Sequence, residues 1–138
     1  EIASCLVGSE MCIRDSYYRA KAYLDAGKTD GAMEDLKVLA KDTRNVYGAE
    51  AKYKVAQIYF DGGQTDKAEQ EVLNYIEVST PHTYWLARSF VLLADVYMKL
   101  GRNLDAKQYL LSLKQNYQAD DDIAGMIESR LEKLKTEN

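Results

Sequence analysis

The chain has 138 residues, with 18 Lys and Arg against 22 Asp and Glu and a formal charge of −4. That length suffices for a packed core without disulfide or metal staples, and the acid excess argues against the basic stripe that nucleic-acid binding needs. A single proline (Pro81), apolar residues at 46% and no apolar run long enough to span a bilayer make an all-α globular chain the expectation.

Residues 1–16 stand apart. Ile2-Ala3-Ser4-Cys5 has the outline of a lipid-attachment site but lacks the basic and apolar segments of a signal peptide. Cys5 and Cys12 have no second Cys/His pair to complete a zinc site. The stretch Leu6 to Asp15, LVGSEMCIRD, resembles the translation of a transposase sequencing adapter. Residues 1–16 are therefore expected to be adapter-derived, with native sequence from near Tyr17 and the true start upstream. Setting them aside removes both cysteines together with Glu1, Glu10, Arg14 and Asp15, so cysteine usage says nothing about redox compartment.

From Tyr17 onward one frame recurs. Gly27, Gly63 and Gly101 lie 36 and 38 residues apart, each four residues after a tyrosine (Tyr23, Tyr59, Tyr97). Alanines precede those tyrosines by three (Ala20, Ala56, Ala94) and follow the glycines by five (Ala32, Ala68, Ala106). Leu36, Val72 and Leu110 come next, then Leu39, Tyr75 and Leu113. The spacing predicts a helix, a tight turn and an antiparallel second helix in each copy. Glycine stops the first helix by entering the left-handed region without a Cβ clash. Thr29-Asp30 and Thr65-Asp66 are placed to cap the second helices, and Tyr23, Tyr59, Tyr75 and Tyr97 to fill the core. Each hairpin alone exposes an apolar face, so stacking must bury it.

The third copy opens with Thr80-Pro81-His82-Thr83, read as a threonine cap with proline in the first turn and His82 on the surface. At the end, Ile123, Ile127, Leu131 and Leu134 mark one face of an amphipathic helix, with Asp120-Asp121-Asp122 at its start to cap it rather than bind a cation. Ala26-Gly27-Lys28-Thr29 echoes a phosphate loop, yet Ala22 stands where that motif needs glycine and no strand precedes it. There is no nucleophile–base pair and no metal cluster, so neither enzymatic activity nor a cofactor is expected.

This frame resembles the tetratricopeptide repeat over about residues 17 to 120. Alanine replaces the pattern's first glycine, the leading tryptophan is absent, and Arg19 occupies an apolar position in the first copy. The resemblance implies an all-α fold of antiparallel hairpins stacked as a right-handed solenoid. Its expected divisions are 17–46 (first repeat, truncated at its start), 47–80, 81–119, and a C-terminal capping helix over 120–138. It also implies a concave groove on the first helices that takes a peptide or a partner helix. Helical projection places Tyr17, Lys21, Leu24 and Asp25 there, then Glu50, Tyr53, Gln57, Phe60 and Asp61, then Arg88, Val91, Asp95, Met98 and Lys99. The basic cluster with which some family members grip a C-terminal carboxylate is only partly matched by Tyr17, Lys21, Lys54, Arg88 and Leu92, which argues against a chaperone-tail clamp.

The expected function is a non-enzymatic interaction scaffold, the C-terminal fragment of a longer protein, with a protein or peptide as partner rather than nucleic acid or a small-molecule substrate. The alternative is a structural or assembly subunit, or a self-associating module. The wording YWLARSFVLLADVYMKLG resembles envelope-associated repeat proteins of Gram-negative bacteria, which favours the periplasm or cell envelope over the cytoplasm and leaves localisation otherwise unknown.

Overall fold

The computed structural model describes residues 10–78 and 80–136, with side chains from residue 13 to residue 135. The lipid-site outline with Cys5, residues 6–9 of the adapter-like stretch and the Cys12 side chain lie outside that description. The described residues form seven helices and no strand: α1 (Glu10–Asp25), α2 (Thr29–Leu39), α3 (Val46–Asp61), α4 (Thr65–Glu77), α5 (Thr83–Lys99), α6 (Asn103–Asn116) and α7 (Ile123–Thr136).

Three turns of one design make the hairpins. Gly27, Gly63 and Gly101 have φ of +76°, +81° and +79°. At each, the glycine N–H donates to the carbonyl three residues back (Leu24, Phe60, Met98; 3.1 Å each). The next N–H, of Lys28, Gln64 or Arg102, donates at 2.8 Å to the carbonyl of Tyr23, Tyr59 or Tyr97. This Schellman pair satisfies helix-end carbonyls, so the recurring tyrosine–glycine spacing is also a backbone hydrogen-bond register. It also displaces the expected caps. Lys28, Gln64 and Arg102 themselves occupy the N-cap positions of α2, α4 and α6, and no side chain caps those helices. Asp30, Asp66 and Asp105 sit inside the first turns, where a negative charge complements the helix dipole.

Each second helix packs on the next first helix, α2 on α3, α4 on α5 and α6 on α7, while α1, α3, α5 and α7 follow one another side by side. Helix α7 thus stands where a fourth hairpin would begin. Ala20, Ala56 and Ala94 and their counterparts Ala32, Ala68 and Ala106 are almost fully buried, which lets the paired helices approach closely. The core forms two clusters, one joining α1, α2 and α3, the other running from α3 to α7. Tyr75 and Tyr97 are buried, but Tyr23 and Tyr59 are only half-buried against the first cluster. Tyr23 lies over Gly31, where a Cβ would meet its ring at 3.1 Å.

The α2–α3 corner is tight. Asn45 caps α3, accepting from the Gly48 N–H at 2.7 Å and donating to the Asp42 carbonyl at 3.1 Å. Pro81 lies before α5 rather than in its first turn, because His82 takes the N-cap. Thr80 Oγ1 accepts from the His82 N–H and donates to the Thr43 carbonyl, while His82 Nε2 lies 3.0 Å from the Arg44 carbonyl. These bonds tie the start of the third hairpin to the corner before the second. At α7, Asp121 Oδ1 accepts from the Ile123 N–H at 2.9 Å, a cap as the acidic run implies.

Candidate protein-binding face

The face shared by α1, α3, α5 and α7 carries linked polar and aromatic groups. On α1, the Tyr17 hydroxyl donates to Glu50 Oε1 at 2.9 Å, and Lys21 Nζ donates to the Tyr17 oxygen at 3.3 Å while sitting 5.1 Å from its ring. Lys54 closes on the other Glu50 oxygen at 3.7 Å. Burial, then the bond to Glu50, pushes the Tyr17 phenol above its ordinary value. Along α3, Tyr53 donates to Gln57 Oε1 at 2.7 Å and Gln57 donates to Asp61 Oδ1 at 2.9 Å.

Arg88 is the centre of the face. Its guanidinium lies 4.9 Å from the Tyr53 ring, 5.7 Å from Trp85 and 6.0 Å from Tyr84, within reach of three electron-rich faces. Its two terminal nitrogens reach the Tyr53 and Tyr84 hydroxyls only at 3.4 Å, and its Nε is buried without a hydrogen-bond partner. The Tyr84 hydroxyl donates to Asp122 Oδ1 at 2.8 Å. Burial raises the Tyr53 phenol, and the Arg88 charge opposes that rise. Further along, Arg130 from α7 grips both Asp95 oxygens, at 2.9 and 3.0 Å, beside a depression of about 450 Å³ edged by Phe60, Met98 and Lys99.

Of the residues projected onto this face, Lys21 and Asp25 are exposed, and Tyr17, Glu50, Gln57, Arg88 and Asp95 are half-buried. Two belong elsewhere. Val91 is 3% exposed and packs in the core, because α5 is flanked by both α3 and α7 and loses more of its circumference than an end helix does. Tyr53 is 7% exposed, its ring covered by Trp85 at 5.7 Å; only its hydroxyl serves the face. The sequence reading missed Tyr84, Trp85, Asp122 and Arg130. Tyr84 stands one turn before Arg88, a visible signal; Arg130 sits on the polar side of α7, which carries no mark of its partner.

Among the described residues no group of three or more His, Cys, Asp or Glu is placed to hold a metal ion, and no helix is long and apolar enough to cross a membrane. A stack of helical hairpins with a shared inner row of first helices defines a helical-repeat solenoid. The tetratricopeptide-repeat family matches at residues 16–42, the α1–α2 hairpin, and at 87–116, the α5–α6 hairpin, so both segments carry tetratricopeptide repeats. No curated protein and no solved structure matches the chain. Tetratricopeptide repeats are protein-interaction modules, and that is the class of this chain.

Proposed function

We propose that the α1–α3–α5–α7 face holds an extended or helical segment of a partner protein, with Arg88 as its anchor. The observation that carries this reading is the Arg88 guanidinium itself. It is stacked among Tyr53, Tyr84 and Trp85, yet its terminal bonds are long and its buried Nε is unsatisfied. Terminal N–H groups held only by long bonds on a half-buried cation favour an incoming carbonyl or carboxylate oxygen. Lys21, Asp25, Gln57 and Lys99 supply the polar rim around such an anchor.

A second reading is an assembly or self-associating role, favoured by α6. Leu104 and Leu111, two turns apart on this second helix of its hairpin, are 70% and 45% exposed. One experiment separates the two. A photo-crosslinking amino acid at Gln57 captures the partner protein, and the same group at Leu104 does not. Capture from Leu104 alone, or of a second copy of the chain, sinks the groove reading and favours assembly. Envelope placement rests on the resemblance of residues 84–101 to such proteins. The fragment and adapter-derived reading of residues 1–16 rests on the match to adapter sequence, and raw sequencing reads across Ser16 test it.

A further inference from the structure

Away from the inner face, α2 and α4 each pack on α3 without touching one another, and a cleft lies between them. It has two lobes, about 290 and 420 Å³, which share Lys52, Glu71 and Asn74. Lysines enter from all three helices and the end of α2: Lys37 and Lys41, Lys52, and Lys67. The one acid among the lining residues is Glu71, and it is already committed. Lys52, its side chain 11% exposed, donates to Glu71 Oε2 at 3.2 Å and to Asn74 Oδ1 at 2.7 Å. Lys37, Lys41 and Lys67 have no ion-pair partner among the described residues. The ammonium groups of Lys37 and Lys67 each lie 5.7 Å from the centre of the Tyr59 ring, which gathers two like charges from neighbouring hairpins at one aromatic side chain.

The repeat supplies its own comparison. One copy later the positions of Lys37, Lys41, Lys52 and Lys67 hold Leu73, Glu77, Phe90 and Asp105, and Glu71 becomes Tyr109. There Phe90 stacks on Tyr109 at 6.2 Å and Tyr97 packs on Tyr109 at 5.5 Å. Packing of the two helices of a hairpin at this position therefore needs neither the lysine nor its acidic partner. A chain of formal charge −4 has placed four of its 18 basic residues in one cleft, where they repel one another and three go unneutralised.

We propose that this cleft docks an acidic segment of a partner protein, independently of the inner face. Glutamate or aspartate side chains pair with Lys37, Lys41 and Lys67. The Asn74 and Gln70 amides hydrogen-bond the segment, and Val55 and Val78 form an apolar floor. The compact shape fits a few carboxylates rather than a long polyanion, which the acidic remainder of the surface repels.

Fluorescence anisotropy with a labelled hexaglutamate peptide tests this on the whole chain. Expected is saturable binding that weakens as salt rises to roughly 0.15 M. It falls about tenfold in Lys37→Glu/Lys67→Glu, and holds in Lys107→Glu/Lys135→Glu, which carries the same charge change at exposed sites on α6 and α7. All four substituted lysines are exposed, so circular dichroism should show each variant folded. Three outcomes overturn the proposal: no saturable binding at low salt, equal loss in both variants, or tighter binding of heparin lost in the same lysine variant. Retained hexaglutamate binding in a Gln57→Arg variant separates this cleft from the inner-face reading.

Discussion

Single residues here are constrained by what their backbone must approach, and the glycines show how differently. A Cβ on Gly48 would stand 1.8 Å from the Asp42 carbonyl oxygen and 2.6 Å from that of Leu39. Neither oxygen can retreat cheaply: Asp42 O accepts from the Asn45 amide and Leu39 O from the Asp42 N–H. Gly48→Ala must then push α3 away from the α2 end, and should cost about 2–3 kcal/mol in urea denaturation. Gly125, in the first turn of α7, has nothing within 4 Å of its Cβ position. There alanine only restricts the unfolded chain and favours the helix, so Gly125→Ala should stabilise by about 0.5 kcal/mol. Equal effects at the two sites would mean that the corner relaxes freely. Gly48 carried no signal in the repeat frame, since its constraint is a loop carbonyl and not a turn dihedral. Gly27, Gly63 and Gly101 were legible because their constraint is local and recurs.

Within hairpins, one contact position changes its chemistry from copy to copy. The pair that is Phe90–Tyr109 in the third hairpin is Lys52–Glu71 in the second. In the first, the acid at the same α2 position, Asp35, is 5% exposed and held in both oxygens by Arg19 of α1, with Nε at 2.8 Å and Nη2 at 2.5 Å. Arg19, at a position where the frame expects an apolar residue, thus neutralises a buried carboxylate. Removing one partner should hurt more than removing both. Arg19→Leu leaves Asp35 buried and unpaired and should lower stability by about 1–2 kcal/mol, moderated because the Arg19 side chain is half exposed. Arg19→Leu/Asp35→Leu should recover most of it. A double variant as unstable as the single one would show that the pair's charge is not the issue. Helix type and turn position could be read from spacing, but a pairing between elements could not. Arg19 and Asp35 sit 16 residues apart with nothing in the sequence joining them. The lysine cleft was hidden for the same reason, since its members come from three helices. Tyr53 and Val91 were assigned to the open face because helical projection gives a direction but not what neighbouring helices cover.

Across the molecule, the two core clusters make stability a matter of neighbours. Ala20, Leu36 and Val55 belong to one cluster, and Leu93, Leu110 and Ile127 to the other, with α3 contributing to both. In such a stack each hairpin is held by the interfaces on either side of it, so damage should stay close to where it is made. Helix α7 offers the cleanest place to see this. Its Ile123, Ile127, Leu131 and Leu134 are all buried against α5 and α6, and Arg130 fastens it to Asp95. Ile127→Ala removes side-chain volume from a fully buried site and should cost about 2–4 kcal/mol. Amide hydrogen exchange reads where that cost falls. Protection should drop in α5, α6 and α7, where opening now needs less free energy, while α1 and α2 exchange nearly as in the parent. A uniform loss across all seven helices would instead show a single cooperative unit. In that case the inner face and the α2–α4 cleft could not be perturbed independently, because any change at the α7 end would be felt at Lys37 and Lys67 as strongly as at Arg88.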